Sequence, residues 1–335
     1  MLPTPEPRKP EANETRHCHA DSSAIVARKE AQLKKKIGTP QQLNKLDKIE
    51  LILGKREVNR LDLGVVPRPV LRCGIPLQKP AEDYLVHTSR DGNCELNVEA
   101  SPRYGMPFGR DLITPLWLFS EAYAQKSRTV RFHSGRAMLR SMGLNEDGRT
   151  FKWVTGSIER NFGATWEFTI QQELMGRIRR ERHYFRLVSS AVLWFTPNRN
   201  QLDFEGEGFQ NAITLTEEAY ALAQKRGYQA RLEIETVAAL SHSPGAMRLF
   251  MLLRDRCAQV PEHKSHGWIP LTGPAGLDIE MGAAKYTEQR KWRVKVKKWL
   301  EEIGRVWPEC PTEIHEGKDG FYRLQIPRCL PAGRE

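Results

Sequence analysis

The residues best suited to bind an anion lie in Leu174–Tyr184, LMGRIRRERHY, where Arg177, Arg179, Arg180 and Arg182 gather with His183 around one Glu181. The flanking stretches TWEFTIQQE and FRLVSSAVLWF are rich in β-branched and aromatic residues, so the pattern predicts a β-hairpin with the arginines at its tip. Like charges at this density repel one another, and one Glu181 does not balance them. A row of guanidiniums on a hairpin suits phosphate oxygens, along a nucleic-acid backbone or beside a narrow minor groove. The plainer reading is a solvated turn.

A second cationic element runs from Gln289 to Ile303. Trp292, Val296, Trp299, Leu300 and Ile303 recur at i, i+4, i+7, i+8 and i+11, which makes one apolar stripe of a helix. Lys291, Lys295 and Lys298 fall on another face, with Arg290, Arg293 and Lys297 alongside. A helix entering a major groove needs a buried stripe and a cationic ridge together. The alternative is a core helix with an ordinary solvated basic face. A third segment, RTFKWVTGSIERNF, predicts a helix with Phe151, Val154, Ile158 and Phe162 on one side. Its outward side is expected to carry Lys152, Thr155, Ser157 and Arg160, short hydroxyls and cations that suit phosphates and base edges.

Catalytic readings are weak. The HCH at His17–His19 has the form of a His-x-His metal pair, but it sits in a polar stretch with no strand to aim both rings at one cation. Neither GxxxxGK[ST] nor GxSxG occurs. Cys257 lies within an apolar helical pattern, where a packed thiol is the ordinary reading. The expectation is a protein that is not an enzyme, with no catalytic residues, no cofactor and no metal.

The elements that must position these residues form two runs. RDLITPLWLFSEAYAQKS predicts a helix, with Leu112, Leu116, Phe119 and Tyr123 on one face and Pro115 in its first turn. RTVRF predicts a strand, SGRAMLRSMGL a helix N-capped by Ser134, and RTFKWVTGSIERNF the helix above, before the arginine hairpin. The second run repeats the order: a helix in TVAALSHSPGAMRLFMLLRDRCAQV after a break near Pro244, the strand GWIPL, a Gly-interrupted helix over GPAGLDIEMGAAK, the basic helix, and a hairpin turning at EGKDG. Helix, strand, helix, helix, hairpin is the order of a winged helix-turn-helix, and its repetition argues for duplication. The expected fold is therefore α+β, tandem winged helix-turn-helix domains with a disordered N-terminal arm. Residues 1–60 are expected to be a mostly disordered basic arm, 95–210 the first domain, 211–235 a connecting helix and linker, and 236–328 the second domain. Prolines between Gly64 and Pro80 are expected to break any regular element.

Composition supports the anionic partner. The 335-residue chain has 52 Lys and Arg against 41 Asp and Glu, a formal net charge of +11, which favours an acidic polymer or surface. Its six cysteines form no CxxC pair and fit a reducing compartment. No apolar run approaches the roughly 18 residues of a membrane span, and the start, MLPTPEPRKPEANETR, lacks the apolar core of a signal peptide. The expected location is the cytoplasm and not a membrane.

Three stretches in order resemble the RepA-type plasmid replication initiators: YGMPFGRDLITPLWLFSEAYAQKSRTVRF followed by RAMLRSMGL; VAALSHSPGAMRLFMLLRDR; and RKWRVKVKKWLEEIGRVWPECPTEIHEGKDGFYRLQIP. The resemblance runs discontinuously from about Asn97 to Pro327. It implies a sequence-specific double-stranded-DNA-binding protein that binds direct repeats (iterons) at a plasmid origin. Such a protein promotes opening of adjacent A·T-rich DNA, recruits host replication proteins and bears on plasmid copy control. The partners implied are the origin repeats, with the host initiator, the replicative helicase and a second copy of the chain as further candidates. The sequence departs from the family in its Gly-rich middle helix of the second run and in its long N-terminal arm. A winged-helix transcriptional regulator without a replication role is the alternative.

Overall fold

The computed structural model describes residues 45–57, 61–80, 86–91, 94–193, 210–225, 229–273, 276–281, 288–310 and 313–328. His17–His19 lie outside them, as do residues 1–44 and 58–60 of the expected N-terminal arm. Within the unit 1–60, α1 (Lys45–Glu57) is a helix with Asp47 in its first turn and Lys55 and Arg56 in its last, charges that complement the helix dipole.

Residues 61–335 make a second unit of mixed α+β structure. It opens with β1 (Leu63–Pro67), whose buried Gly-Val-Val run leads into α2 (Arg68–Cys73). The prolines at 67 and 69 therefore start a helix here, at positions whose amide is not needed, where the sequence reading expected no regular element. Next come β2 (Val86–Asp91) and β3 (Cys94–Glu99), a 3-10 turn at Gly109–Leu112, and α3 (Ile113–Ala124). Almost every residue of α3 is buried, as a helix wrapped on several sides requires. Trp117 meets Phe132 edge to face at 5.6 Å, and its Nε1 donates to Ser141 Oγ at 2.8 Å, so the ring is buried with its polar atom satisfied.

The first run continues through β4 (Thr129–Phe132), α4 (Gly135–Ser141) and α5 (Gly148–Gly163). Both helices start on side-chain caps: Ser134 Oγ accepts from the Ala137 amide at 3.2 Å, and Asp147 Oδ1 from the Thr150 amide at 2.8 Å. The arginine hairpin is β5 (Thr165–Leu174) and β6 (Arg177–Arg186), followed by β7 (Val188–Val192) and β8 (Asn211–Leu215).

Strand pairing corrects the sequence reading in two ways. The arginine hairpin belongs to an antiparallel sheet of order β2-β3-β5-β6, whereas the sheet of the helical run is β4-β8-β7. Leu187, fully buried, marks where the chain leaves one sheet for the other. The strand pair that completes the first run is thus β7 and β8, and the hairpin is an insertion ahead of it. Residues 211–235, expected as a connecting helix and linker, begin with β8, the central strand of that sheet. They continue with the short helix α6 (Glu217–Gln224) and β9 (Gln229–Glu233), which pairs with β1.

The second run comprises α7 (Ile234–Ala239), α8 (Pro244–Ala258), β10 (His266–Pro270), α9 (Leu277–Glu280), α10 (Gln289–Gly304), β11 (Ile314–Glu316) and β12 (Tyr322–Pro327). The Gly-interrupted stretch expected as a helix is reduced to the four residues of α9. The sheet has the order β10-β12-β11. In both runs, then, the strand before the last two helices pairs with the final strand, and the final strand pairs with the one before it. α5 and α10 are each 16 residues long and occupy the same place in this order.

The two runs are tied together by buried charge. Arg254 of α8 reaches Glu233 of β9 at 2.6 Å, both almost wholly buried. Asp255 accepts from Arg68 at 2.8 Å and from Arg72 at 3.2 Å. Ser120 of α3 in turn accepts from the Val65 amide at 2.9 Å. The β1–β9 ribbon and α2 therefore fasten α3 on one side and α8 on the other.

Candidate nucleic-acid interface

On α10, Trp292, Val296, Trp299 and Ile303 are buried. The two tryptophans meet edge to face at 5.6 Å, and Trp292 Nε1 donates to the Leu271 carbonyl at 2.8 Å. Trp299 lies over Gly245 of α8 so closely that a Cβ there would collide with its ring. This packing fixes the rotation of the helix. Arg290, Lys291, Lys295, Lys297 and Lys298 are exposed, and Val294 sits among them with 62% of its surface accessible. Lys291 pairs with Glu288 at 2.8 Å. Arg293 is placed differently: it is half-buried, with its guanidinium 4.1 Å from the centre of the Tyr322 ring of β12. The result is a cationic ridge with an apolar residue in its middle, able to contact phosphates and a thymine methyl.

On α5, Lys152 is exposed and Thr155 is half-buried, its hydroxyl donating to the Phe151 carbonyl at 3.1 Å. The outward expectation for Ser157 and Arg160 is corrected. Ser157 is fully buried, its hydroxyl 2.6 Å from Thr114 Oγ1. A helical residue five positions after an exposed one is rotated by about 140° from it, which carries Ser157 toward the core. Arg160 folds back to Asp111, with Nε to Oδ2 at 2.7 Å and Nη2 to Oδ1 at 2.9 Å. Gly156 leaves room for this path, since a Cβ there would come within 3.1 Å of the Arg160 guanidinium. Asp111 is wholly buried and also accepts from the Phe108 amide and from Trp153 Nε1, each at 3.0 Å. Arg110 stacks 4.0 Å from the Trp153 ring; burial holds its pKa below the usual arginine value, and the Arg160 charge adds to that. The exposed strip of α5 is Arg149, Lys152 and Glu159. Arg149 was missed in the sequence; its position three residues before Lys152 is the signal that could have found it.

The hairpin turns at Met175 and Gly176, both with positive φ, 53° and 72°. Two such residues make the turn whose twist matches the strands. The arginines therefore do not sit in the turn itself. Arg177 and Arg179 lie on one face of β6, Arg180 and Arg182 on the other, and all four are exposed. Cross-strand neighbours supply acid that the linear sequence hides. Glu167 stands opposite Tyr184 and beside Asn97, and Glu95 stands opposite Thr169, itself opposite Arg182. Glu181 binds Lys225 at 3.1 Å, His183 at 2.8 Å and Arg179 at 3.3 Å. The Lys225 contact holds its carboxyl below the ordinary value, with His183 adding and burial opposing.

Among the described residues no cluster of His, Cys, Asp and Glu is suited to hold a metal, and no helix is long and apolar enough to cross a membrane. Cys257 is buried, as its apolar helical setting leads one to expect.

No protein-family model matches the chain, and no curated protein does. Two solved crystal structures of domains 2 and 3 of RctB, one from selenomethionine derivatives, are similar to it at TM-score 0.49 and 13% identity. The likeness covers 78% of this chain and 99% and 96% of theirs.

Proposed function

We propose that the chain is a sequence-specific duplex-DNA-binding protein built from two winged helix-turn-helix domains, with α5 and α10 as the reading helices. The observation that carries this is α10. One side is locked into the core by Trp292, Val296, Trp299 and Ile303, and the other presents Arg290, Lys291, Lys295, Lys297 and Lys298 around Val294. The repeated order of helices and strands supports α5 as its counterpart. The bridges Arg254–Glu233 and Arg68–Asp255 hold α8, on which α10 packs, to the β1–β9 ribbon and α2, and two such helices would read two stretches of groove.

The biological role we propose is plasmid replication initiation: binding of origin repeats, opening of the neighbouring A·T-rich DNA and recruitment of host replication proteins, without catalysis of its own. Its support is the ordered set of motifs resembling the RepA-type initiators. A nuclease footprint on DNA flanking the protein's own gene tests this role. Regularly spaced protected repeats beside an A·T-rich stretch are expected. A single protected promoter site would replace the initiator by a transcriptional regulator. If the complex contacts roughly 6–10 phosphates, affinity should fall about 10³–10⁵-fold between 50 and 200 mM salt.

A further inference from the structure

Among the described residues, the distal part of the arginine hairpin has no neighbour in its sheet. β3 pairs with β5 only as far as Cys94 opposite Ile170. Beyond that point residues 171–174 and 177–180 pair with one another. Four residue pairs at about 3.3 Å each give a two-stranded arm roughly 13 Å long.

The end of this arm is apolar. Met175 is fully exposed at the apex, and Leu174 and Ile178 beside it are 55% and 71% exposed. Met175 also adopts φ 53°, a region that non-glycine residues seldom occupy and that Gly or Asn fill in most such turns. An unfavourable backbone and a bare apolar side chain at one position mark a site held for a contact. Arg177, Arg179 and Arg180 surround the tip on both faces of the ribbon, and Glu173 is the one carboxylate between 171 and 180.

We infer that this arm is a DNA wedge: Met175, with Leu174 and Ile178 behind it, enters the minor groove and parts a base step, while Arg177, Arg179 and Arg180 hold the flanking phosphates. The inference rests on the duplex-binding reading above. Apolar wedges of this kind unstack a step and kink the duplex toward the major groove. The two-residue turn puts the Met175 side chain alone at the apex, and one side chain is slim enough to enter a groove about 6 Å wide. A pyrimidine–purine step is the cheapest to part, so the arm would favour the kind of DNA that must open.

The test uses the full chain and a duplex carrying a site protected in the footprint, with a fluorophore at each end and 2-aminopurine at successive positions. The wild-type protein is expected to bend the duplex by roughly 20–90° and to raise 2-aminopurine emission at one step. Met175→Gly keeps the positive φ and removes the wedge; the triple variant L174T/M175G/I178T removes the rest while keeping strand-forming residues. Both should retain binding within about tenfold and lose the bend and the emission. A bend unchanged in the triple variant, or wild-type binding with no bend, would overturn the wedge and leave duplex binding standing. The tip would then be a surface for a protein partner. Failure of the wild-type chain to bind any duplex would overturn both readings.

Discussion

Arg160 and Asp111, 49 residues apart, are joined by two parallel hydrogen bonds of 2.7 and 2.9 Å, with the carboxylate wholly buried. The pair clamps the 3-10 turn before α3 to the inner flank of α5. Its charge sets the pose of a candidate DNA-reading helix and is not itself offered to DNA. Removing one partner of such a pair strands the other, so Arg160→Ala and Asp111→Ala should each lower stability by about 3–5 kcal/mol. Lys152→Ala, on the exposed strip, should change stability by less than about 0.5 kcal/mol. Urea titration followed by tryptophan fluorescence separates the two. An Arg160→Ala protein of undiminished stability would return Arg160 to the candidate contacts.

Gly245 provides a second structural prediction. Any Cβ there meets the Trp299 ring, so Gly245→Ala must displace α10 from α8. Overpacking of this kind costs about 1–3 kcal/mol. Thermal unfolding should show the loss, and DNA affinity should fall with it because the ridge loses its seat. Stability equal to wild type would contradict the packing described for α10.

Much of this framework is legible in the sequence. The apolar stripe of α10, the Ser134 cap and the break at Pro244 are local signals that the structure places where the sequence does. Strand partnership is not local. The period of two in β5 and β6 gives their faces, yet nothing in it says that they pair with β3 and not with β4. β7, VSSAV, is largely exposed and carries little pattern, and β8 hides in the ITL ahead of a clear helical run. Ser157 and Arg160 are misread for a related reason. Polar side chains on an amphipathic helix look outward until their partners, Thr114 and Asp111, are brought in from 43 and 49 residues away.

Glu181 ties the hairpin to Lys225 at the end of α6. Its pKa lies below the ordinary carboxylate value, so its contribution is complete above about pH 4.5 and is lost as pH falls through the depressed folded value. The pair is partly exposed and contributes about 0.2–1 kcal/mol. Hydrogen exchange of β6 amides should be faster in Glu181→Gln than in wild type at pH 6, and the two should converge on acidification. Equal exchange at pH 6 would remove Glu181 as the anchor.

Val294 is exposed among cations on α10. If it meets a thymine methyl, Val294→Ser should cost roughly 1 kcal/mol at cognate DNA, the order of one buried methyl group, and little at scrambled DNA. A selection from random duplexes would show the preference relaxed at one position. Equal losses on both DNAs would limit α10 to phosphate contacts.

Whether the α10 ridge binds duplex DNA is decided by the salt dependence of affinity for wild type and for K291A/K297A/K298A on the footprinted duplex. Each phosphate neutralised by a lysine adds roughly 0.9 to the slope of log K against log salt, so the triple variant should show a slope shallower by about 2.7, with thermal stability unchanged. An affinity and slope identical to wild type would mean that these lysines do not touch DNA.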